Sequence, residues 1–493
     1  MVESTTSTRV FIALLVLGLM FQNCANPPKM NTNIMNEIPS KWKTTLPPQE
    51  IITGPWWQVF GDSLFNHHVE LFQKNSPNLQ SIIYQMDMAR QSATLNGAGI
   101  FPTVIGSGTG SGNKQNLSAF GFAGSLFGSD NGSQDSTSGK TSSTAVSSFE
   151  SENYNLNLSV QWEVDIWGKL LNERRANFTD YNSTKNELIY LQFSLSAQFS
   201  NAYFSAVEST LQFQLAEEIT QSLSDIRNIV QDRYQKGLAT SLDLRMAESS
   251  FALSKVQLEN KNIQQSNAIR MVEIFMGKYP SATLKVSSTL PELFPNTPAG
   301  LPSTIIQRRP DIQSALQKVE AMGFRVAQAK RNLLPGLTLT ASGGTSTSDL
   351  KDILNGDYSV WNLGANLTAP VFQGGRLRAN LALSKSNFSL AEQEAIKSIL
   401  TAFGEVEQGL SADASTQRQF LAITDAVIQA GAAYSLAQDR YENGLTDLIT
   451  VLNSQQQWAD TKSTKIAIQY IRLNTRINLL LALGGDFAVN NHE

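Results

Sequence analysis

The chain repeats itself, and that repeat limits its fold more than any other feature. Asp232-Arg233-Tyr234, followed by Gly237-Leu238, recurs as Asp439-Arg440-Tyr441, followed by Gly444-Leu445, an offset of 439 − 232 = 207. Gly168-Lys169-Leu170 recurs as Gly375-Arg376-Leu377 at the same offset, 375 − 168 = 207. Two separate markers at one spacing imply duplicated architecture. Upstream, Pro77 to Gln80 matches Pro310 to Gln313, and Phe101-Pro102 matches Leu334-Pro335, now 310 − 77 = 233 apart. The first copy therefore carries 233 − 207 = 26 more residues between its strands. The excess falls within Gly106 to Ser148, rich in Gly and Ser. Such a composition buries too little apolar surface to offset the cost of ordering, so a mobile loop is expected there.

Each copy reads as helix, strand, loop, strand, long helix, turn, long helix. In the first the pieces are Pro77–Gly97, Ile100–Ser107, Tyr154–Ile166, Lys169–Gln235 and Ser241–Met276. In the second they are Pro310–Arg331, Leu337–Thr345, Val360–Val371, Leu377–Asn443 and Leu448–Leu483.

The strand before Trp167-Gly168 alternates strictly. Tyr154, Leu156, Leu158, Val160, Trp162, Val164 and Ile166 fall on one face, with Asn155, Asn157, Ser159, Gln161, Glu163 and Asp165 on the other. Period-two patterning of this kind makes a strand with one greasy and one polar side. About ten residues suffice for a tilted strand to cross a bilayer. The strand from Trp361 alternates too, through Leu363, Ala365 and Leu367. Only four segments have this character. Membrane barrels must close, and the smallest have about eight strands, so four cannot close alone. A barrel built from this chain needs several copies.

The helices are as unusual as the strands. Lys169 to Gln235 is about 67 residues, roughly 100 Å at about 1.5 Å per residue. No proline falls between Lys169 and Tyr279, and none after Val371. Phe420, Ile423, Val427, Ala430, Tyr434, Ala437 and Tyr441 follow the three-four spacing of a coiled-coil seam.

Composition and charge exclude some classes of function. The net charge is −4 with no polybasic run, which gives nucleic acid nothing to bind. There is no uninterrupted stretch of eighteen apolar residues for a transmembrane helix. Val10 to Phe21 is a signal-peptide core in length, and Cys24, the one cysteine of the chain, follows it. Either Cys24 becomes the first mature residue and is lipidated, or it is incidental to an ordinary cleavage site. Asn23 stands where lipoprotein signals usually carry Gly, Ala or Ser. The histidines, His67, His68 and His492, form no ligand set, so no metal or cofactor is expected. No phosphate loop or nucleophile elbow occurs, so an enzyme is not expected.

Five motifs carry a family resemblance. They are Trp56-Trp57 through Phe60-Gly61-Asp62, Trp162-Glu163 through Trp167-Gly168-Lys169, and Gln307-Arg308-Arg309-Pro310-Asp311-Ile312. The other two are Pro370-Val371-Phe372-Gln373-Gly374-Gly375-Arg376 and the ending Leu483-Gly484-Gly485-Asp486-Phe487. In order and on an internal repeat, they resemble the outer-membrane factor family of tripartite efflux and secretion systems, TolC/OprM-like. With Cys24 read as a lipid anchor, the chain is most similar to the branch serving resistance-nodulation-division pumps.

The resemblance implies a mixed α and β membrane protein. Three copies would give four strands each to a twelve-stranded outer-membrane β-barrel, continued by a long periplasmic α-helical barrel with an equatorial region. The domain organisation expected is a signal peptide (1–23), an N-terminal tether and equatorial segment (24–76), repeat 1 (77–278), an equatorial linker (279–309), repeat 2 (310–483) and a tail (484–493). The implied partners are two further copies of the chain, a periplasmic adaptor, an inner-membrane pump and outer-membrane lipid, with no nucleic acid.

In that setting Asn155, Asn157, Ser159 and Gln161 would face a water-filled lumen. The helix turns at Gly237 and Gly444 would be the periplasmic gate, glycine allowing the reversal. Related channels carry acidic rings and Tyr/Arg contacts at these tips. Asp243 matches such an acid; its counterpart, 243 + 207, is Thr450, and Asn453 stands where a second acid occurs in some relatives. Asp447 is the nearby substitute. Arg233-Tyr234 and Arg440-Tyr441 match the closed-state contacts, with Arg245 beside them. The function expected is a passive exit duct for small molecules. The alternatives are a type I protein-secretion duct and, further off, a lipid-anchored coiled-coil spacer or adhesin.

Overall fold

The computed structural model describes residues 27–30, 39, 41–43, 55–116, 148–292 and 302–484. Cys24, the expected signal peptide (1–23) and residues 117–147 lie outside the described residues. The elements run α1 (Ser63–Asn75), α2 (Pro77–Gly97), β1 (Thr103–Asn116), β2 (Ser148–Val164), α3 (Lys169–Gln235) and α4 (Ser241–Phe275). They continue with α5 (Pro302–Arg308), α6 (Pro310–Arg331), β3 (Gly336–Thr347), β4 (Ser359–Thr368), α7 (Arg376–Glu442) and α8 (Leu448–Ala482). The order of the repeat is the one expected, and helices α2, α3 and α6 have the expected bounds.

Two expectations are corrected. The Gly/Ser stretch is not all loop: Gly106 to Asn116 belongs to β1 and Ser148 to β2, paired from Thr103↔Gln161 through Asn116↔Ser148. Gly106, Gly108, Gly110 and Gly112 stand at every second position, and larger side chains of β2 cover part of the row. A Cβ on Gly110 would meet the Tyr154 ring at 3.2 Å. The covering ring supplies the packing that glycine lacks. The first strand also begins later than expected, because Ala98–Ile100 is a 3-10 turn.

The chain divides into two compact units. One comprises Met1–Pro28, Thr94–Asn177 and Gly323–Lys385; the other comprises Lys29–Ala93, Phe178–Met322 and Ser386–Glu493. Each draws on both copies of the repeat. The first holds a single antiparallel sheet of order β1-β2-β3-β4, so β1 and β4 are its edges. Where β2 gives way to α3, the Trp167 indole N–H donates to the Pro335 carbonyl at 2.6 Å. The Asp165 carboxylate accepts the Leu171 amide at 2.7 Å, satisfying one orphan donor of the first turn of α3.

The second unit is built on aromatic packing. Phe65, Val69 and Phe72 of α1 recur every three or four residues and are fully buried. Phe72 stacks on Phe199 of α3 with centroids 4.4 Å apart, and Phe65 lies 4.7 Å from Phe204. Asp62 caps α1, accepting the Phe65 amide at 2.9 Å on one oxygen and the Ser287 hydroxyl at 2.6 Å on the other. The Tyr203 hydroxyl accepts the Ser287 amide at 3.1 Å. Burial pushes the Tyr203 phenol up to about 12. His68 is buried beside it, its Nε2–H donating to the Lys285 carbonyl at 3.0 Å while Nδ1 has no partner among the described residues.

A buried cation ties the start of α6 to two other helices. Arg309 is 2% exposed. It grips Asp311 through two bonds (3.0 and 2.7 Å), Glu405 of α7 at 2.6 Å, and the Ala482 carbonyl ending α8 at 3.1 Å. Among the described helices, α7 holds one stretch long and apolar enough to cross a membrane by length and composition alone, and only 6% of that window is buried.

Candidate functional site: helix tips and sheet faces

The sheet is inside-out by the standards of a soluble protein. The register places Val104, Val160, Ala341 and Leu363 in one row across four strands, and Trp162, Leu339 and Ala365 in the next. Side chains directly opposite share a face. Leu156, Leu158, Trp162, Leu339, Trp361, Leu363 and Leu367 are all exposed, Trp361 at 78%. On the other face Asn155, Asn157 and Ser159 are half-buried, while Gln161 is exposed. Ser159 donates to the Ile105 carbonyl at 3.4 Å, and Asn155 to the Thr109 hydroxyl at 3.5 Å. This polar face bounds a hollow of about 560 Å³ lined by Thr103, Ser159, Gln161, Thr340, Ser342 and Asn362. The four polar residues expected on one face are therefore brought together, and the hydrophobic face is left bare.

The two helix tips are built alike. After α3, the Gly237 amide donates to the Tyr234 carbonyl at 3.0 Å and the Leu238 amide to the Arg233 carbonyl at 2.8 Å. After α7, the Gly444 amide donates to the Tyr441 carbonyl at 3.0 Å and the Leu445 amide to the Arg440 carbonyl at 2.8 Å. Gly237 has φ 75° and Gly444 φ 74°. Both are left-handed helix ends of the Schellman kind, where any Cβ is strained.

The helices that leave the tips start from caps with exchanged chemistry. At α4 the cap is Thr240, whose hydroxyl accepts the Asp243 amide at 3.1 Å. The Asp243 carboxylate accepts the Thr240 amide at 2.9 Å and hydroxyl at 2.8 Å. At α8 the cap is Asp447, whose carboxylate accepts the Thr450 amide at 2.8 Å and hydroxyl at 2.6 Å. Thr240 and Asp447 are equivalent, since 240 + 207 = 447, and so are Asp243 and Thr450. Each helix keeps one carboxylate at its positive end. The bonds from Thr450 hold the Asp447 carboxyl below its ordinary value. The substitution of Thr450 for an acid is visible in the sequence alone; its partner exchange, Thr240 for Asp447, was the sign missed.

The Tyr/Arg candidates split. Arg233 lies over the Tyr441 ring, 5.0 Å from its centroid, and donates to the Glu442 carbonyl at 2.9 Å. Tyr441 is buried with Ala247, Ala437 and Val230. Burial raises its phenol against the opposing pull of Arg233. The equivalent pair is not formed within the chain: Tyr234 and Arg440 are both exposed. Arg245, exposed, pairs with Glu248 at 2.9 Å. Asn453 is exposed on a groove of about 550 Å³ with Ile219, Met246, Leu253 and Gln456. The described residues hold no cluster of His, Cys, Asp and Glu able to bind a metal ion.

Comparison with known proteins agrees with this architecture. Residues 69–277 and 301–485 match the sequence model of the outer membrane efflux protein family. The probable efflux pump outer membrane protein TtgC of Pseudomonas putida is 27% identical over 434 residues, covering 88% of this chain and 85% of its own. The pyoverdine export outer membrane protein OpmQ of Pseudomonas aeruginosa is 28% identical over 438 residues, covering 88% and 87%. Among solved structures, the Campylobacter jejuni CmeC outer membrane channel superposes with a TM-score of 0.80 at 23% identity, covering 94% of this chain and 95% of that one. The outer-membrane channel OprN gives 0.79 at 20%, covering 94% and 99%. With both halves of its repeat inside the family match, the chain belongs to the outer membrane efflux protein family and is an exit duct of the outer membrane.

Proposed function

We propose that three copies of this chain close a twelve-stranded barrel through the outer membrane, anchored by acylation of Cys24, and conduct small molecules handed over by a periplasmic adaptor and an inner-membrane pump. The bare apolar face of the four-stranded sheet carries this reading. From Tyr154 to Val164 the face spans eleven residues, about 34 Å of strand and roughly 25 Å after a tilt of about 40°, the height of an outer-membrane apolar band. The two free edges, β1 and β4, run antiparallel to each other, so copies join edge to edge without changing the alternation. The polar face, with Asn155, Asn157, Ser159 and Gln161, then lines the lumen.

The tips at Gly237 and Gly444 are the gate in this reading. Asp243 and Asp447 supply its negative charge, and Thr450 and Asn453 line it beside them. The Arg233–Tyr441 contact holds each copy's tips together. Tyr234, Arg440 and Arg245 are left to meet neighbouring copies. A conduit of this kind draws its energy from the pump and makes no bonds itself. Planar-bilayer recording of the purified protein tests the proposal. Discrete conductance steps from trimeric protein support it; trimers that never conduct, or protein that stays monomeric, would refute it.

A further inference from the structure

The foot of the sheet, where strands exchange with helices, is strongly cationic. Four segments of the first unit enter or leave the strands there, residues 94–102, 163–177, 323–335 and 369–385. Together they carry nine Lys and Arg against three acids, Glu163, Asp165 and Glu173, a balance of 9 − 3 = +6. The sheet and its far end lean the other way. Among the described residues, 103–116, 148–162 and 336–368 hold Lys114 and Lys351 against five acids, 2 − 5 = −3. The whole chain is net −4, so the excess at the foot is local.

Helix stability accounts for little of it. Lys330 and Arg331 end α6, where the helix dipole favours cations. Lys169 opens α3, and Arg376 and Arg378 open α7, where the dipole opposes them and neither first turn holds an acid. Three acids cannot neutralise nine cations, and two of the three are already engaged. Glu163 pairs with Lys169 at 2.5 Å, and Asp165 accepts the Leu171 amide at 2.7 Å. Burial lowers the Arg331 guanidinium from its ordinary value, and Arg175 adds to that against the pull of Asp165. The excess charge is left for anions outside the chain.

The collar adjoins the polar face of the sheet. Glu163 and Phe101 both line the hollow on that side. Lys169 sits on Glu163, and the Arg174 guanidinium lies over the Phe101 ring, 5.3 Å from its centroid. Arg331 donates to the Gly168 carbonyl at 3.3 Å, next to Lys169. The hollow on the apolar face, lined by Pro102, Trp162, Leu339 and Leu363, has no charged residue in its wall.

We infer that this collar is an anion station of the duct, drawing the carboxylate, phosphate or sulfonate of an organic anion to the foot of the barrel. Low-dielectric walls lined by one sign of charge concentrate the opposite sign, and rings of Arg and Lys select anions in pores. The inference rests on the trimeric reading above, in which three copies bring 3 × 6 = 18 net positive charges to one belt. It adds a charge preference opposite in sign to that of Asp243 and Asp447 at the tips.

Block of single trimers in planar bilayers by inositol hexakisphosphate, added on the barrel side, tests it. The polyanion should block the unsubstituted channel, and block should weaken in about 1 M salt, where the Debye length is about 3 Å. Arg174→Gln should raise the half-blocking concentration about tenfold and move the reversal potential in a KCl gradient toward potassium. Arg175→Gln/Arg378→Gln, at two exposed positions, should act in the same direction and serves where Arg174→Gln does not assemble. Lys351→Gln, at the far end of the sheet, should change neither reading. Conducting trimers whose block and reversal potential ignore every collar substitution would overturn the station, leave the duct intact and turn the collar toward lipid phosphate. An unsubstituted channel that the polyanion never blocks, or blocks equally at all salt concentrations, would also overturn the station. Trimers that never conduct would overturn the duct reading beneath it.

Discussion

The Asp447 carboxylate closes the first turn of α8 by accepting both the amide and the hydroxyl of Thr450, at 2.8 and 2.6 Å. In the first copy the acid stands three residues inside the helix and the hydroxyl at the cap, with the same partners bonded. Asp447→Ala should weaken the cap of α8 and raise single-channel conductance by removing three charges from the trimer's tip. The exchange Asp447→Thr/Thr450→Asp recreates the first-copy cap and should leave conductance near its original value. Unchanged conductance and ion selectivity in Asp447→Ala would remove it from the gate. Because the folded carboxyl is held below its ordinary 3.8, its stabilising effect is complete above that value. It disappears as pH falls through the lowered one.

Gly344 and Gly343 are adjacent in β3 and should behave oppositely. A Cβ on Gly344 would stand 2.8 Å from the Cα of Asn157 and drive into the Leu156 carbonyl, whereas one on Gly343 meets nothing within 4 Å. Gly344→Ala should part β2 from β3 locally and cost about 1–3 kcal/mol, as overpacking does. Gly343→Ala should change stability by less than about 0.5 kcal/mol. Dissociation temperatures of the trimer on gels compare the two.

Arg309 is the cation whose loss should be felt furthest. Removing it leaves the Asp311 and Glu405 carboxylates and the Ala482 carbonyl without their shared donor. Arg309→Met should destabilise by about 3 kcal/mol, the low end for a broken buried pair, since both carboxylates keep some access to water. Arg309→Lys cannot reproduce the forked grip on Asp311 and should recover less than half of that loss. Thermal unfolding followed by circular dichroism measures both.

His68 should make the second unit acid-sensitive. Burial lowers its imidazole below 6.5, with His67 and Lys278 adding to that effect, while the Lys285 carbonyl and Asp62 oppose it. The unfolded chain therefore takes up a proton that the folded one refuses, and stability falls as pH drops below about 6.5 toward the lowered value. His68→Gln, which keeps a donor for the Lys285 carbonyl, should flatten the melting temperature between pH 7.5 and 5. An unchanged slope would place the acid sensitivity elsewhere.

The long helices were legible in the sequence because proline-free runs and helix-end glycines bracket them. The alternation of β2 named its two faces before any coordinate. β1 was harder, since its outward positions are glycines and composition alone reads them as loop. Its order comes from Leu156 and Tyr154 on the neighbouring strand. Helix α1 went unread because thirteen residues, Ser63–Asn75, gave too short a pattern beside an Asp62 cap. The tip contacts divided along the same line: Gly237 and Gly444 were visible as turns. Which arginine would dock on which tyrosine depends on packing between segments some 200 residues apart, which no local pattern encodes.

The pairing of β2 with β3 joins Tyr154 to Thr347, 347 − 154 = 193 positions apart, with all of α3 and α4 between. Loop closure on that scale is entropically costly and slow compared with helix formation. The helical hairpins, whose partners are near in sequence, are therefore expected to form before β2 meets β3. Until it pairs, the chain carries unsatisfied strand edges that would join any neighbour. The β2–β3 pairing thus joins the two copies of the repeat into one sheet and leaves β1 and β4 as its two edges.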